Sequence, residues 1–338
     1  MSAHARPKVL ITSSFDDAVA ESLVDEFDIT LVEPTMDGNS LAERGLDQAL
    51  AETDVIIAEL DVIDEATLAM APALRAVVSC RAKPANVDLD ACTARGIPVF
   101  TTPGRNADVT ADLSFALLLA TVRKVSASER WLREGNWSDD DVFEPYEKFR
   151  SIGLSGRTLG VLGGGAVGRR VIARARGFGM TVKVYDPYLA ADAFGDEASV
   201  APLDEVLSTS DIVTVHVPLM PSTEGLLGAR ELALLRPDAY LINAGRAAII
   251  DEQALMAVLR EGRIAGAGFD VFYQEPLPRD HEIFSLANVT MTPHIAGASD
   301  DVIVEHSRIA AAALRGWLAG DAVTGTANAK ALAAAGQH

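Results

Sequence analysis

The sequence predicts an α/β protein with two parallel-sheet domains. Short apolar runs alternate with helical patterns along most of the chain, and the alternation starts afresh at Thr158 after a long apolar helix. Strands that alternate with helices of about 10–15 residues are typical of βαβ units, which form parallel sheets. The chain has 338 residues, which is enough for two buried cores.

The first series comprises five strands with helices between them. Each strand is a short apolar run, and the helices show apolar residues on one face, as Val19, Leu23 and Val24 do in the first helix. The strands are predicted at 9–12, 29–32, 55–58, 76–79 and 98–100, and the helices at 18–27, 41–52, 65–71 and 88–95. These elements predict the first parallel sheet.

The second series begins after two helices, one at about 109–125 and one that contains Trp131 and Leu132. Its strands are predicted near 158–162, 181–185, 212–216, 239–243, 264–269 and 289–291. A last helix at 301–318 has no strand after it, so we assign it to the first series. The sequence thus predicts a discontinuous domain, 1–104 plus 294–338, and an inserted domain, 105–293, with the active site in the cleft between them.

Composition excludes several classes of protein. The chain has 48 acidic and 29 basic residues and a net charge of −19, so we expect no binding to nucleic acid or to an anionic membrane. It has neither a membrane-spanning apolar run nor the apolar core of a secretory signal, which predicts a cytoplasmic protein. Cys80 and Cys92 are not spaced as a disulfide framework or a zinc site, so no metal is expected.

A glycine-rich loop identifies the inserted domain as a dinucleotide-binding one. Gly163, Gly165 and Gly168 form GxGxxG between a strand and a helix. The first glycine permits a tight turn, the second lets the backbone approach a pyrophosphate, and the third lets the helix pack closely on the sheet. The amino terminus of the helix offers unpaired N–H groups to the phosphates. We therefore predict a Rossmann-like domain at 105–293.

An acidic residue at the end of the next strand selects the cofactor. Asp186 follows the glycines at about the sequence separation that is typical of a carboxylate that binds the ribose hydroxyls of NAD. Such a carboxylate also repels the 2′-phosphate of NADP. Pro187 and Tyr188 follow it, and no arginine is present to accept a phosphate. The sequence therefore favours NAD.

Three separated motifs resemble the D-isomer-specific 2-hydroxyacid dehydrogenase family. They are LINAGR at 241–246, GFDVFYQEPL at 268–277 and MTPHIAGA at 291–298. Weaker matches at 86–89, 102–107 and 215–219 extend the resemblance over nearly the whole chain, in order. It implies an NAD-dependent oxidoreductase that interconverts a 2-keto acid and a D-2-hydroxy acid, with a flavodoxin-like substrate-binding domain as the second, discontinuous domain.

The resemblance also implies roles for three residues. Arg246 binds the carboxylate and the carbonyl of the substrate, His294 is the acid/base, and Glu275 is its partner. The residue types suit this chemistry, because a guanidinium forms two parallel hydrogen bonds to a carboxylate and an imidazolium can protonate the developing alkoxide. The implied cofactor contacts are the three glycines with Ala166 and Val167, Asp186, then Val217, Pro218, Thr223, Ala244, Gly245, Asp270, His294 and Gly297.

The chain departs from the family pattern at two places. Ala247 stands where the family usually has glycine, which is tolerated if the backbone φ there is negative. The segment 80–86 replaces a glycine-rich loop that binds the substrate carboxylate, and it contains Arg81, Ala82 and Lys83, which we assign to substrate binding. We hypothesise that the substrate carries a second anionic or strongly polar group. The alternative is that Arg81 and Lys83 are ordinary surface cations that lie beside the site.

Other functions on the same scaffold stay open. A formate-dehydrogenase-like activity is disfavoured because that group has Gln where Glu275 stands, whereas a phosphite-oxidising relative and an NADH-sensing corepressor share the three residues. Among 2-hydroxy acids, phosphoglycerate, glyoxylate, hydroxypyruvate and lactate-type substrates are not distinguished. Because helix 109–125 is apolar nearly all round, the resemblance implies a homodimer that buries it, with burial inside one chain as the alternative.

Overall fold

Two units make up the chain, which the computed structural model describes over residues 6–35 and 37–335. Unit 1 comprises Met1–Asn106 and Ser299–His338, and unit 2 comprises Ala107–Ala298. The second boundary lies after Ala298 rather than after residue 293, because hydrogen bonds hold residues 295–296 to unit 2. His294 therefore belongs to unit 2. The ends of the predicted domains, residues 1–5 and 336–338, lie outside the described part.

The amino-terminal part of unit 1 forms a five-stranded parallel sheet. Its strands are β1 (Lys8–Ile11), β2 (Asp28–Leu31), β3 (Val55–Ala58), β4 (Ala76–Ser79) and β5 (Val99–Thr101). Their order, β2-β1-β3-β4-β5, is that of flavodoxin-like sheets. The five predicted strands are confirmed.

The helices between these strands are shorter than predicted. They are α1 (Asp17–Glu21), α2 (Asp47–Glu52), α3 (Glu65–Met70) and α4 (Leu89–Ala94). The segment predicted as one helix at 41–52 consists of a 3-10 turn at Leu41–Arg44 and α2, because Gly45 at φ 67° interrupts it. The carboxylates of Asp16, Asp64 and Asp88 accept hydrogen bonds from backbone N–H groups in the first turns of α1, α3 and α4.

Unit 2 contains a seven-stranded parallel sheet. Its strands are β6 (Thr158–Leu162), β7 (Thr181–Tyr185), β8 (Ser199–Val200), β9 (Ile212–Val215), β10 (Tyr240–Asn243), β11 (Gly266–Phe269) and β12 (Val289–Met291). The order is β12-β11-β10-β9-β6-β7-β8. The chain leaves β6 toward β7 on one side and returns at β9 on the other, so the switch point of a Rossmann-like sheet lies at the carboxyl end of β6.

Helices cover both faces of this sheet. They are α5 (Ala107–Val122), α6 (Val125–Arg133), α7 (Glu144–Lys148), α8 (Ala166–Gly177), α9 (Leu203–Thr209), α10 (Ala229–Leu232) and α11 (Glu252–Arg260). In α5, Phe115 and Leu118 share one buried apolar cluster with Leu159, Val171 and Ile242 of the same unit. The apolar character of α5 is therefore explained largely by burial within its own chain.

The chain then returns to unit 1 with α12 (Asp300–Ala319) and α13 (Ala329–Ala334). Ala310 and Leu314 of α12 pack in one buried apolar cluster with Val9, Phe27 and Phe100. The shorter α13 was not predicted. Among the described residues, no helix combines the length and apolarity that a membrane span requires.

Candidate active site

The predicted residues of unit 2 converge on the carboxyl edge of its sheet. Gly163 follows β6, Asp186 follows β7, Arg246 lies just beyond β10, and Asp270 directly follows β11. His294 lies just beyond β12. Because all these strands are parallel, residues distant in sequence meet at one edge, where such sheets bind ligands.

The glycine loop has no room for a side chain at Gly163 or Gly168, whereas space is open at Gly165. Gly163 has φ 102°, and a Cβ there would lie 2.8 Å from the backbone of His216 and Val217. A Cβ on Gly168 would lie 2.0 Å from the Gly163 carbonyl oxygen. By contrast, a Cβ on Gly165 would meet nothing within 4 Å. The loop therefore leaves open space beside the backbone of Gly165, as pyrophosphate binding requires.

Helix α8 begins at this loop with amides that have no acceptor among the described residues. Its hydrogen-bond ladder starts with Arg169 N–H donating to the Gly165 carbonyl at 3.0 Å. The amides of Ala166, Val167 and Gly168 precede that ladder, at the positive end of the helix dipole. Ala166 is exposed and Val167 is half-buried. These features fit the phosphates of a dinucleotide.

Asp186 is fixed beside the loop by two backbone amides. Its Oδ2 accepts a hydrogen bond from Gly164 N at 2.9 Å, and its Oδ1 accepts one from Tyr188 N at 3.0 Å. Each carboxylate oxygen keeps a second lone pair for a ligand. The residue thus fits the ribose hydroxyls of NAD, and its charge disfavours a 2′-phosphate there.

The segment after β9 forms a closed turn at the same edge. The Thr223 hydroxyl donates to the Pro218 carbonyl at 2.6 Å and accepts from Met220 N at 2.9 Å. Val217 is buried and Pro218 is exposed. Burial lowers the pKa of the neighbouring His216 to about 4, so that ring is neutral near pH 7. The Thr223 hydroxyl is therefore engaged in hydrogen bonds within the turn and stabilises its conformation.

Arg246 extends from a loop that Asn243 organises. The Asn243 amide group donates to the Arg246 carbonyl at 3.0 Å, and its oxygen accepts from Gly245 N at 2.9 Å. Arg246 itself is exposed. Ala247 begins a 3-10 turn without a positive φ, which confirms that alanine is tolerated at this departure from the family pattern. Ala244 is buried, so only its backbone can reach a ligand.

Glu275 and His294 form a direct pair. Glu275 Oε2 lies 2.6 Å from His294 Nδ1, and Oε1 accepts a hydrogen bond from Phe272 N at 2.9 Å. Partial burial acting alone would raise the pKa of the Glu275 carboxyl. The hydrogen bonds from His294 and Phe272, with the charges of His294 and Arg246, outweigh this effect, so the pKa is lowered. Glu275 is therefore a stable carboxylate partner that leaves Nε2 of His294 for a substrate.

His294 has an uncommon backbone conformation, with φ 55°. A left-handed conformation is rare for residues other than glycine and is often found at functional sites. Asp270, which is fully buried, holds the segment on both sides of it. Its two oxygens accept hydrogen bonds from the Thr292 hydroxyl and from the amides of Ile295 and Ala296. The carboxylate of Asp270 is thus engaged by protein groups, while Gly297 is exposed.

Unit 1 carries the remaining predicted residues on the loop after β4. Arg81 is half-buried, whereas Ala82 and Lys83 are exposed. Within residues 6–35 and 37–335, neither cation forms an ion pair or a side-chain hydrogen bond. The nearby Arg105 differs, because its Nη1 lies 2.6 Å from Glu59 Oε1 and 3.0 Å from His306 Nδ1. Arg81 and Lys83 thus remain available to bind an anion.

Two organising residues, Asn243 and Thr292, were not among the predicted site residues. Both lie inside the quoted motifs, directly before the predicted Arg246 and His294 loops. Their short polar side chains at strand ends are typical of residues that bind backbone groups in turns. That pattern was the available indication of their role.

The comparisons with known proteins agree with this geometry. The model of the family described as D-isomer specific 2-hydroxyacid dehydrogenase, NAD binding domain, matches residues 115–296. The chain is 36% identical over 298 residues to a glyoxylate reductase of Thermococcus litoralis, covering 88% of this chain and 89% of the relative.

Solved structures give the same result. The TT0316 protein from Thermus thermophilus is similar with a TM-score of 0.76 and 31% identity, covering 95% of this chain and 99% of that one. An NADPH-dependent glyoxylate/hydroxypyruvate reductase from Sinorhizobium meliloti, in complex with citrate, has a TM-score of 0.73 and 29% identity. This comparison covers 95% of the present chain and 97% of the reductase.

Proposed function

The chain belongs to the D-isomer-specific 2-hydroxyacid dehydrogenase family, and on that premise we propose that Arg246, Glu275 and His294 catalyse the interconversion of a 2-keto acid and a D-2-hydroxy acid. The protein is an NAD-dependent oxidoreductase of this family. The 2.6 Å contact between Glu275 and His294 is the observation that carries the proposal, because it pairs an acid/base with a stable anion at the ligand-binding edge of the sheet.

The glycine loop, the first amides of α8 and Asp186 would hold NAD. Gly165 would admit the pyrophosphate, and Asp186 would bind the adenosine ribose and disfavour NADP. The segments at 217–223 and 244–245 would line the same edge, together with Asp270 and Gly297. When bound, NADH supplies the hydride for the carbonyl carbon, and this chain supplies binding, orientation and the proton.

Arg246 would bind the carboxylate and the carbonyl oxygen of the keto acid. Its guanidinium can form two parallel hydrogen bonds, which fix the plane of the substrate. Its cationic charge also stabilises the negative charge that develops on the carbonyl oxygen during reduction. The exposed position of Arg246 is compatible with this role.

His294 would donate its proton to that oxygen and would accept it back in the oxidative direction. Because Nδ1 faces Glu275, the proton that moves is the one on Nε2. The Glu275 carboxylate stabilises the imidazolium and fixes the ring orientation. The segment that Asp270 anchors on both sides of His294 would keep the ring in this position.

Arg81 and Lys83 would select the substrate. They are cations without an ion-pair partner in the described part of the chain, on a loop where the family pattern has glycines. A 2-keto acid with a second anionic or strongly polar group would satisfy them. Replacing Arg81 with Met should then lower kcat/KM about tenfold or more for such an acid and leave pyruvate unchanged. Equal kinetics on every accepted substrate would refute this selection.

We also propose that the protein is a homodimer. Helix α5 is largely buried within its own unit, so its apolar character is not evidence for a dimer. The support comes from large apolar side chains exposed between residues 125 and 146, of which Phe143 is 72% exposed and Tyr146 is 76% exposed. Contiguous exposed apolar surface commonly marks a protein interface.

The test of catalysis is NADH oxidation against a panel of 2-keto acids. Glyoxylate and hydroxypyruvate come first, since relatives are named for them, followed by pyruvate, oxaloacetate and phosphohydroxypyruvate. Turnover should fall about 1000-fold in His294→Asn, while NADH binding by fluorescence is retained. If NADH binds tightly and no acid or phosphite is turned over, the protein is a cofactor sensor instead.

A further inference from the structure

A polar cluster lies at the carboxyl edge of the sheet in unit 1. Glu59 directly follows β3, Ser14 lies shortly after the end of β1, and Arg105 lies in the loop after β5. In the order β2-β1-β3-β4-β5, the chain leaves β1 toward β2 on one side and continues at β3 on the other. The switch point of this sheet therefore lies between the ends of β1 and β3, where open parallel sheets bind ligands.

The guanidinium of Arg105 is held on two sides in this cluster. Its Nη1 lies 2.6 Å from Oε1 of Glu59 and 3.0 Å from Nδ1 of His306. His306 Nε2 lies 2.7 Å from the Ser14 carbonyl oxygen, which can only accept, so Nε2 carries the proton and Nδ1 accepts from Arg105. His306 is fully buried, and burial lowers the pKa of its ring, which favours this neutral form. The interior of unit 1 thus sets the position of the guanidinium.

Both members of the ion pair keep polar atoms free. Within residues 6–35 and 37–335, neither Nε nor Nη2 of Arg105 forms a hydrogen bond or an ion pair, and neither does Oε2 of Glu59. The two side chains are 20% and 25% exposed, so a ligand can reach them. A hydrogen bond of 3.0 Å from Thr102 N to the Arg81 carbonyl joins the loop after β5 to the loop after β4. The pair therefore lies in the same region of unit 1 as the loop to which we assign substrate binding.

The free atoms of this pair fit a hydroxyl group better than a second anion. Arg105 offers N–H donors and Glu59 offers an acceptor, while their formal charges cancel. A hydroxyl group can accept from the guanidinium and donate to the carboxylate at the same time. A carboxylate or a phosphate would be repelled by the negative charge of Glu59. A purely aliphatic tail would take both polar groups out of water without giving them a partner.

We propose that Glu59 and Arg105 form a hydroxyl-binding pair that selects 2-keto acids with a hydroxyl group beyond the carbonyl carbon. His306 is a positioning residue for this pair. The inference rests on the proposed reduction of a 2-keto acid and narrows its substrate class. Of the anionic and strongly polar tails that Arg81 and Lys83 would accept, the pair favours the uncharged, hydroxylated ones.

Matched acids that differ by one hydroxyl group test this selection. Hydroxypyruvate is compared with pyruvate, and 4-hydroxy-2-oxobutyrate with 2-oxobutyrate, by NADH oxidation. In the wild type, kcat/KM should be about tenfold or more higher for the hydroxylated acid of at least one pair. In Glu59→Leu/Arg105→Met, apolar groups of similar size replace both charges, so no unpaired charge is left. This variant should lose the hydroxyl preference, while kcat/KM for the acid without the hydroxyl group changes by less than about threefold.

A single substitution should give a gain that damage to the fold cannot produce. Glu59→Gln keeps the size of the side chain and removes its charge, so Arg105 becomes an uncompensated cation. The kcat/KM for oxaloacetate relative to pyruvate should then rise about tenfold, because the second carboxylate is no longer repelled. In the control Glu52→Gln, a carboxylate paired with Lys8 at the amino edge of the same sheet is lost, and both preferences should stay unchanged.

Two variants of His306 test its positioning role. In His306→Leu the guanidinium loses an acceptor, so the hydroxyl preference should fall by at least about threefold, while kcat for pyruvate is retained. His306→Gln offers one acceptor and one donor and should keep the preference. A merely structural role would instead change kcat/KM equally for both acids of a pair. Circular dichroism and Tm show whether each variant is folded.

Binding of the product acids separates this inference from the proposed reaction. The NADH-loaded protein is titrated with D-glycerate and with D-lactate, which differ by one hydroxyl group, and NADH fluorescence reports binding. The Kd for D-glycerate should be about tenfold lower than that for D-lactate in the wild type, and the two should be equal in Glu59→Leu/Arg105→Met.

The outcomes distinguish the two proposals. If the binding preference is present and depends on the pair, but no keto acid is reduced, only the proposed reaction is wrong. If keto acids are reduced and the wild type shows no hydroxyl preference, or the double variant keeps it, the hydroxyl-binding pair is overturned and the reaction stands. If no product acid binds and no keto acid is reduced, both are overturned.

Discussion

The carboxylate of Asp270 is bound to the backbone of Ala296, with 2.8 Å between Oδ2 and the amide nitrogen. Its other oxygen accepts from Ile295 N at 2.9 Å and from the Thr292 hydroxyl at 2.6 Å. One fully buried side chain therefore anchors the segment before and after His294. Because His294 holds a left-handed conformation, this anchor links the packing of the sheet to the position of the proposed acid/base.

Replacing Asp270 with Ala should destabilise the protein and impair catalysis together. The change leaves two amides and a hydroxyl without their acceptor, which should cost about 3 kcal/mol in the free energy of unfolding. It should also lower kcat, because His294 is no longer fixed. Urea denaturation and NADH oxidation measure the two effects. In the control Asp251→Ala, an N-cap of α11 is lost at a cost of about 1 kcal/mol, with kcat unchanged.

Substitutions of the loop glycines should separate an effect on stability from an effect on cofactor binding. In Gly165→Ala, the added Cβ meets no protein atom, so Tm should be unchanged, while the Kd for NADH should rise about tenfold or more. In Gly168→Ala, the Cβ would lie 2.0 Å from the Gly163 carbonyl, so stability and binding should both fall. Gly177→Ala, at an open position of the same helix, should raise stability by about 0.5–1 kcal/mol. Equal effects of the three changes would contradict this assignment.

The strands were predictable, because their apolar runs are long enough to be distinguished from the polar segments between them. The exceptions have physical causes. Strand β8 has only two residues, and α13 consists mostly of alanine without a polar face. The glycine loop and Asp186 could be predicted from spacing. The anchoring role of Asp270 could not, since its partners include backbone amides 25 and 26 positions further along the chain, which no side-chain pattern records.

Glu275→Gln should lower kcat for keto-acid reduction about 100-fold at neutral pH. The neutral amide cannot stabilise the imidazolium, so part of the activity should return at lower pH, where the ring is protonated by solvent. Because the pKa of Glu275 is lowered in the folded protein, the wild type should keep this carboxylate charged into the acid range. A pH–rate profile measures both effects. Glu282→Gln, which removes an exposed carboxylate paired with Arg260, is the matched control.

Arg246→Lys should retain more activity than Arg246→Gln, although both should be impaired. Lysine keeps the charge but loses the planar fork that orients a carboxylate, so kcat/KM should fall about tenfold or more. Glutamine loses the charge as well, and about 100-fold is expected. Steady-state kinetics with one keto acid compares the two variants. If Arg246→Gln had full activity, another residue would have to bind the substrate carboxylate.

His216 should affect the pH dependence of stability and leave that of catalysis unchanged. Burial lowers its pKa from the ordinary value of 6.5 to about 4 in the folded chain. Between these two values the unfolded chain binds a proton that the folded chain does not, so stability should rise as pH increases from about 4 to 6.5. In His216→Gln this contribution should vanish, and the slope of Tm against pH across that range should decrease. The pH–rate profile should keep its shape, because the ring is already neutral where the enzyme is assayed. A shift of the kinetic profile together with an unchanged Tm slope would show instead that His216 takes part in proton transfer.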